Sequence, residues 1–272
     1  MGNWKTERIG KLGYTYTGLS GKTADDFGEG APYIPYMNVF TNTIVDTEFF
    51  EYVKVGRREN QNEVKLGDAL FTTSSETPEE VGMASVMTKD FIPLYLNSFC
   101  FGYRLYDKSA FDSTFFAYLL RSYKVRQQMF ISAQGSTRHN LSKKNFNTTE
   151  LYYPEDITEQ SKIAEILSTV DEAIKKTSDL IVKYKNIKAG MMQDLLRNGD
   201  FVRLGDVVEG FQYGLNAAAK PYDGENKYIR ITDIDDQSRQ FLENDLSSPT
   251  GFLTNDYLLQ ENDIVFARTG AS

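Results

Sequence analysis

The chain has 272 residues, is 40% hydrophobic and 25% charged, and carries a formal net charge of −8. This length allows one large core or two modest ones. Apolar runs never approach the roughly 20 residues needed to cross a bilayer, and the N-terminus has no secretory pattern, so we expect no membrane association. Because Cys100 and His139 are the only residues of their types, we expect no disulfide, no cysteine- or histidine-based metal site and a cytoplasmic location.

Short β-type runs alternate with turn residues over residues 7–110. Strands are predicted over Tyr33–Val39, Phe49–Val55, Val64–Thr73 and Phe99–Leu105, which are rich in aromatic and β-branched residues. Apolar residues three and four positions apart predict a helix over Phe111–Ile131. Leu151–Pro154 predicts a last short strand that ends at proline. The first 155 residues therefore predict one mixed α/β domain.

An acid-free segment runs from Ser113 to Thr149. It carries the basic residues Arg121, Lys124, Arg126, Arg138, Lys143 and Lys144. Since phosphate contacts supply most of the sequence-independent affinity for DNA, this segment is a candidate phosphate-binding surface. The alternative is a solvated helix face followed by a loop. Residues 200–272 are acidic and are expected to face solvent or protein.

A long amphipathic helix is predicted after Pro154, where Asp156 and Glu159 have the spacing of a capping box. Its apolar seam, interrupted at Thr177 and Lys188, consists of Ile163, Leu167, Val170, Ile174, Ile181, Tyr184, Met191 and Leu195. This heptad spacing predicts about 40 helical residues, some 60 Å of helix. Such a helix finds little to pack against in one domain, so we expect it to pair with another helix. The alternative is a helix folded back on its own domain.

The chain begins its own sequence again after residue 200. Three pairs of segments correspond: Arg8–Gly10 with Arg203–Gly205, Tyr33–Val39 with Tyr228–Ile234, and Gly67–Phe71 with Asn262–Phe266. All three share an offset of about 195 residues (203 minus 8, 228 minus 33, 262 minus 67). Chance matches would not share one offset, so the pattern predicts a repeated module that is incomplete at residue 272.

Several motifs, taken in order, resemble those of the DNA-specificity subunits of type I restriction-modification systems. They are Gly135–Arg138, Asn140–Ser142, Pro154 with Glu159, Gln160 and Ile163, and the related segments Lys65–Phe71 and Asp263–Gly270. The resemblance implies two target recognition domains, each reading one half of a split DNA sequence. It also implies helical regions that pair and bind two modification subunits, with S-adenosylmethionine bound by those subunits and a restriction subunit joining some complexes.

The resulting fold prediction is α+β, in three parts. Residues 1–155 form a mixed α/β target recognition domain, 156–199 a coiled-coil spacer helix, and 200–272 an incomplete second recognition domain. No catalysis is expected. We find no Asn-Pro-Pro-aromatic or Asp-Pro-Pro-Tyr motif of adenine methylation, no glycine-rich cofactor loop after a strand, and no carboxylate–lysine cluster typical of nucleases. Ser136 and His139 lie close in sequence but lack an orienting acid, so they do not predict a nucleophile–base pair.

The candidate DNA-binding residues are Lys22, Ser74, Ser75, Arg104, Arg138, His139 and Lys143. Arg138 and Lys143 are preferred because they lie in the acid-free segment; for Lys22 and Arg104 a structural role is the alternative. With one spacer helix present, we expect it to pair with its copy in a second chain, giving a homodimer that reads a palindromic split target. The competing function is a helix-mediated assembly protein that binds modification subunits without a defined DNA site.

Overall fold

The computed structural model of the chain describes residues 3–135, 139–197, 199, 201–235, 238 and 240–268. Its helices are α1 (Ile9–Leu12), α2 (Tyr36–Thr41), α3 (Ser113–Arg121), α4 (Tyr123–Ser132), α5 (Lys143–Phe146), α6 (Ile157–Arg197) and α7 (Leu204–Val207). Its strands are β1 (Trp4–Arg8), β2 (Gly13–Thr17), β3 (Phe27–Ile34), β4 (Glu51–Val53), β5 (Ala69–Thr72), β6 (Ser74–Ser75), β7 (Ala84–Val86), β8 (Tyr95–Leu96), β9 (Cys100–Leu105), β10 (Ala133–Gln134), β11 (His139–Leu141), β12 (Glu150–Pro154), β13 (Ala219–Pro221) and β14 (Ser247–Pro249). Short 3-10 turns cover Ala24–Asp26, Pro78–Glu80, Lys108–Ala110, Ile231–Asp233 and Asn255–Tyr257.

Two compact units make up the chain, residues 1–190 and 191–272. We call them the first and second units. We placed the predicted domain boundaries, at 155 and 199, at the ends of secondary-structure elements, whereas these two units are each defined by their internal contacts. The predicted boundaries stay a prediction. None of the described helices has the length and apolar character that crossing a bilayer requires.

The first unit is built around a four-stranded antiparallel sheet in the order β2-β9-β5-β7. Smaller sheets in the orders β4-β3-β8 and β10-β11-β6 surround it, and β1 pairs with β12. An aromatic cluster lies at the centre of the core: Phe71 stacks on Phe101 with ring centroids 5.2 Å apart, and Phe146 packs edge-on against both. The predicted mixed α/β domain is confirmed.

One end of the four-stranded sheet, where β2 and β5 finish and β9 begins, positions the candidate site. Thr17 at the end of β2 pairs with Phe101 at the start of β9, and Thr72 at the end of β5 pairs with Cys100. We call this end of the sheet, which is formed by strand ends and not by an outer strand, the distal edge. At its other end β9 leads to the segment that anchors the long helix, so the distal edge and the anchor lie at opposite ends of the sheet.

Two predicted elements differ from the structure. The predicted strand Tyr33–Val39 ends at Ile34, and α2 begins after Pro35, because the buried Asn38 side chain bonds main-chain groups of Asp46 and Phe49 and holds the chain in a turn. The predicted helix Phe111–Ile131 is two helices separated at Ser122, whose backbone is extended.

The long helix α6 begins and ends close to the predicted positions. Its first turns are held by the first unit: Gln160 is fully buried, donates to the carbonyls of Ala110 and Pro154, and accepts the Asp112 N–H. Asp156 caps the helix, but Glu159 accepts the Trp4 indole N–H instead of completing a capping box.

The sequence repeat is also a repeat of local geometry. Helix α1 (9–12) and helix α7 (204–207) begin and end 195 residues apart, 204 minus 9 and 207 minus 12. Helix α2 begins at Tyr36, and a 3-10 turn begins at Ile231, again 195 residues later. The partial repeat predicted from sequence is therefore present in the backbone.

A second correspondence lies in the turn before β5. Asp68 accepts the Lys65 N–H at 2.8 Å, and Asp263 accepts the Gln260 N–H at 2.7 Å. Gly67 has a φ of 86° and Asn262 a φ of 74°, the left-handed conformation that glycine and asparagine adopt most readily. Both copies thus form the same side-chain-capped turn.

Candidate nucleic-acid interface

The distal edge brings together two groups of candidate residues that are far apart in sequence. Strand β11 pairs with β6, so that His139 lies opposite Ser75 and Asn140 opposite Ser74. The Leu141 N–H donates to the Thr73 carbonyl at 3.0 Å, which fixes β11 against the end of β5. Three of the predicted DNA-binding residues therefore lie in one small sheet.

The two serines of this sheet are poorly placed for direct contact with bases. Ser74 and Ser75 are only 8% and 7% exposed. The Ser75 hydroxyl donates to Glu80 at 2.9 Å, and the Tyr36 hydroxyl donates to the Ser74 carbonyl at 3.0 Å. Their role in the structure is to hold the sheet, which corrects the expectation of base contact through their side chains.

Two exposed amide side chains in the same sheet were missed from sequence. Gln134 and Asn140 are direct cross-strand partners in β10 and β11, so their side chains share one face. Leu141, the next residue, is buried on the other face, whereas Gln134 and Asn140 are exposed. The alternation of apolar and polar residues around Gly135 was the signal that could have identified them.

Lys143 and Lys144 are exposed on α5, directly after β11. Ser142 caps this helix by accepting the Asn145 N–H, and the fully buried Phe146 fixes it to the core. Neither lysine forms an ion pair in the described part of the chain, so both ammonium groups are available for phosphates. Arg138, with Ser136, lies outside the described residues.

Lys22 has internal partners. Its side chain is 5% exposed, and its ammonium group bonds the Glu59 carboxylate and the Lys54 carbonyl. A buried ammonium paired in this way would have to leave a carboxylate unpaired in order to bind a phosphate. We therefore withdraw Lys22 as a DNA contact and assign it a structural role.

Arg104 is also held inside the fold. Its guanidinium makes two hydrogen bonds to the Asp68 carboxylate, at 2.8 and 2.6 Å, and one to the Glu63 carbonyl. Asp68 is fully buried and also accepts the Tyr16 hydroxyl at 2.6 Å. Hydrogen bonding to Asp68 raises the pKa of Arg104 above its usual value. Arg104 therefore joins β9 to the turn before β5, which corrects its assignment to the DNA face.

Two arginines of the acid-free segment likewise have structural roles. Arg121 donates to four carbonyls, of Ala84, Val39, Phe40 and Asn42. Burial, and secondarily the charge of Arg126, lowers the pKa of Arg121 to about 10. Arg126 donates to the carbonyls of Gly82 and Glu79, both at 2.6 Å. Of the segment's basic residues before the described gap at 136–138, only Lys124 is exposed, and it lies over the Tyr152 ring.

We predict that Arg121→Gln destabilises the protein by at least about 2 kcal/mol, because buried carbonyls lose charged donors. The same change should leave the salt dependence of DNA binding unaltered. Lys143→Gln is the matched control: it should cost little stability and reduce the slope of log affinity against log salt by about one. Urea unfolding and DNA titrations at several salt concentrations measure both quantities. A reduced salt slope for Arg121→Gln would contradict the structural assignment.

The predicted pairing face of α6 is largely uncovered. Its exposed seam residues are Leu167 (38%), Val170 (51%), Ile174 (59%), Ile181 (51%), Tyr184 (65%), Met191 (55%) and Leu195 (73%). Ile163 is the exception, since it packs against the core of the first unit with Ala164. Ile163 therefore anchors the helix to its own domain, and the free seam begins at Leu167.

Comparison with known proteins identifies the family. Residues 1–183 match the family described as "Type I restriction modification DNA specificity domain". A comparison with curated proteins finds no match to this chain.

Solved structures of similar fold have 16–18% sequence identity to the chain. The HsdS subunit from Thermoanaerobacter tengcongensis has 16% identity and a TM-score of 0.52, over 86% of this chain and 62% of that one. A chain from work on "complex assembly" of "the type I R-M system" has 16% identity and a TM-score of 0.50, over 71% and 45%. The type I restriction-modification S subunit from M. genitalium has 18% identity and a TM-score of 0.48, over 78% and 60%.

The chain spans about half to three-fifths of the length of these structures. The family match confirms the predicted resemblance to the DNA-specificity subunits of type I restriction-modification systems. The match to the family covers two thirds of the chain, from residue 1 to residue 183 of 272. The chain belongs to the type I restriction modification DNA specificity domain family.

Proposed function

We propose that the chain directs type I modification subunits, and a restriction subunit where one is present, to a split DNA target. The match of residues 1–183 to a DNA specificity domain is the observation that carries this proposal. The distal edge supports it, because Gln134 and Asn140 there, and Lys143 and Lys144 on the helix that follows, are exposed and carry groups suited to base edges and phosphates. S-adenosylmethionine would be bound by the modification subunits rather than by this chain, and the complex would act on DNA in the cytoplasm.

The finer proposal is that two copies pair through α6 and read a palindromic split sequence. The exposed seam from Leu167 to Leu195 supports helix pairing, since so long an apolar stripe is unfavourable in water. A two-fold axis relating two first units would present each with the same half-site.

The test is a comparison of DNA methylation in cells that contain the modification subunit, with and without this chain. A new palindromic split motif is the expected result. A non-palindromic split motif would support DNA specificity but contradict the paired first units. If methylation is unchanged although the modification subunit is active, the chain is instead an assembly protein, which the exposed helix would also suit.

A further inference from the structure

A turn with two exposed arginines follows β4. Arg57 and Arg58 occupy its middle positions, and the Glu59 N–H closes it by donating to the Gly56 carbonyl at 2.9 Å. In the described part of the chain neither arginine forms an ion pair. The turn thus presents two guanidinium groups to solvent.

This turn is fixed by the side chain of Glu59. The Glu59 carboxylate accepts the Gly56 N–H at 3.0 Å, the amide of Gln61 at 3.2 Å and the buried Lys22 ammonium. These donors, Lys22 first, lower the pKa of Glu59 to about 2, so this carboxylate stays ionised through the physiological pH range. Lys22 therefore stabilises the turn through its ion pair with Glu59.

The arginine turn lies at the distal edge. Gln61, two residues after Glu59, exchanges two hydrogen bonds with the main chain of Ser20. The loop that contains Ser20 begins at the end of β2, where the Gly18 N–H donates to the Cys100 carbonyl. Strand β11 attaches at the end of β5 on the same edge. A duplex lying along this edge would therefore meet both the arginine turn and the sheet that contains Asn140.

Three carboxylates of β3, β4 and the turn before β3 have partners of their own. Glu29 pairs with Lys54 at 2.8 Å, the Tyr33 hydroxyl donates to Glu51, and Asp26 accepts the Thr23 hydroxyl and N–H. They lower the local potential but do not neutralise the two arginines directly.

The internal repeat separates framework residues from variable ones. Gly56 corresponds to Gly251 at the 195-residue offset (251 minus 56), as Asp68 corresponds to Asp263. The residues after this glycine differ completely: Arg57 and Arg58 in the first unit, Phe252 and Leu253 in the second, with Phe252 91% exposed. The two arginines are therefore not part of what the two repeats share, as expected of residues that read bases rather than hold the fold.

We propose that Arg57 and Arg58 read guanine in the half-site recognised by the first unit, each through O6 and N7 in the major groove. Arginine matches this pair of acceptors with two parallel N–H donors held in one plane, whereas a lysine ammonium can reach the same acceptors only without that fixed geometry. The inference rests on the proposed function, because it names residues that would give that function its specificity.

The test uses the full chain assembled with its modification subunits and a library of randomised duplex DNA. Arg57→Lys with Arg58→Lys keeps both charges, so the expected result is a loss of guanine preference at one or two positions, by about ten- to a hundredfold, with the salt slope retained. Lys143→Gln with Lys144→Gln should do the opposite, weakening binding to all sequences and reducing the salt slope by about two. Arg8→Gln with Lys11→Gln, which removes two charges near the start of β2 at the other end of the sheet, should change neither.

The outcomes separate this inference from the proposed function. If the wild-type complex selects a sequence and the lysine variant selects the same one with equal preference, the paired guanidinium donors do not read guanine and the inference is wrong, while the proposed function stands. A wild-type complex that selects no sequence would overturn both. A uniform loss of affinity in the lysine variant would assign the arginines to phosphates and also overturn the inference.

Discussion

Asp68→Ala is expected to lower the free energy of unfolding by about 3–5 kcal/mol, the largest single effect that the structure predicts. Asp68 is fully buried and accepts hydrogen bonds from the Arg104 guanidinium, the Tyr16 hydroxyl and the Lys65 N–H. Removal of its carboxylate leaves a partly buried guanidinium and a buried hydroxyl without their acceptor. Urea unfolding followed by the fluorescence of Trp4, the only tryptophan, reports on the first unit.

Asp107→Ala is the matched control for this experiment. Asp107 also caps a turn, accepting the Ser109 N–H at 2.9 Å, but it is exposed and pairs with no arginine among the residues that the structure describes. Its replacement should cost at most about 1 kcal/mol. Equal losses in the two variants would mean that the Asp68–Arg104 pair adds nothing beyond its turn, and our account of Arg104 as a structural residue would fail.

Ile174→Asp is expected to dissociate the proposed homodimer, with a loss of affinity of a hundredfold or more. Ile174 is 59% exposed in the single chain and lies in the middle of the free seam. Pairing would bury it against the partner helix, where an unpaired carboxylate is strongly unfavourable. Analytical ultracentrifugation over a range of concentrations measures the change.

Asn186→Asp provides the control, because it adds the same charge to α6 at a position outside the seam. It should leave the dimer intact, and neither substitution should change the folding of the first unit, since both side chains are exposed. An Ile174→Asp variant that remains dimeric would show that the helix does not mediate pairing. A wild-type chain that is monomeric at all concentrations would rule out the homodimer itself. The Leu167→Asp variant should behave like Ile174→Asp but less strongly, since Leu167 is only 38% exposed.

Features that depend on local sequence were predictable. The helix that spans Ile157–Arg197 follows from its heptad spacing, and its length agrees with the predicted 40 residues. The repeat was visible because a capped turn needs an aspartate after a residue that tolerates positive φ, and Gly67-Asp68 and Asn262-Asp263 both satisfy this requirement. Periodicity and turn preferences depend on residues that are close in sequence, so they can be recognised without knowledge of the fold.

The roles of the charged residues were decided by the tertiary structure alone. Lys22, Arg104 and Arg121 have their partners 32 or more residues away, so composition could show that they were basic but not that they were already bound. Conversely, Arg57 and Arg58 drew no attention in the sequence, and it is the Lys22–Glu59 ion pair and the Gln61–Ser20 hydrogen bonds that fix their turn near the end of β2. The sequence by itself determined the modules and the long helix, because both arise from short-range patterns. The tertiary structure decided which basic side chains remain available for DNA, because their ion pairs and hydrogen bonds join residues that are far apart in the chain.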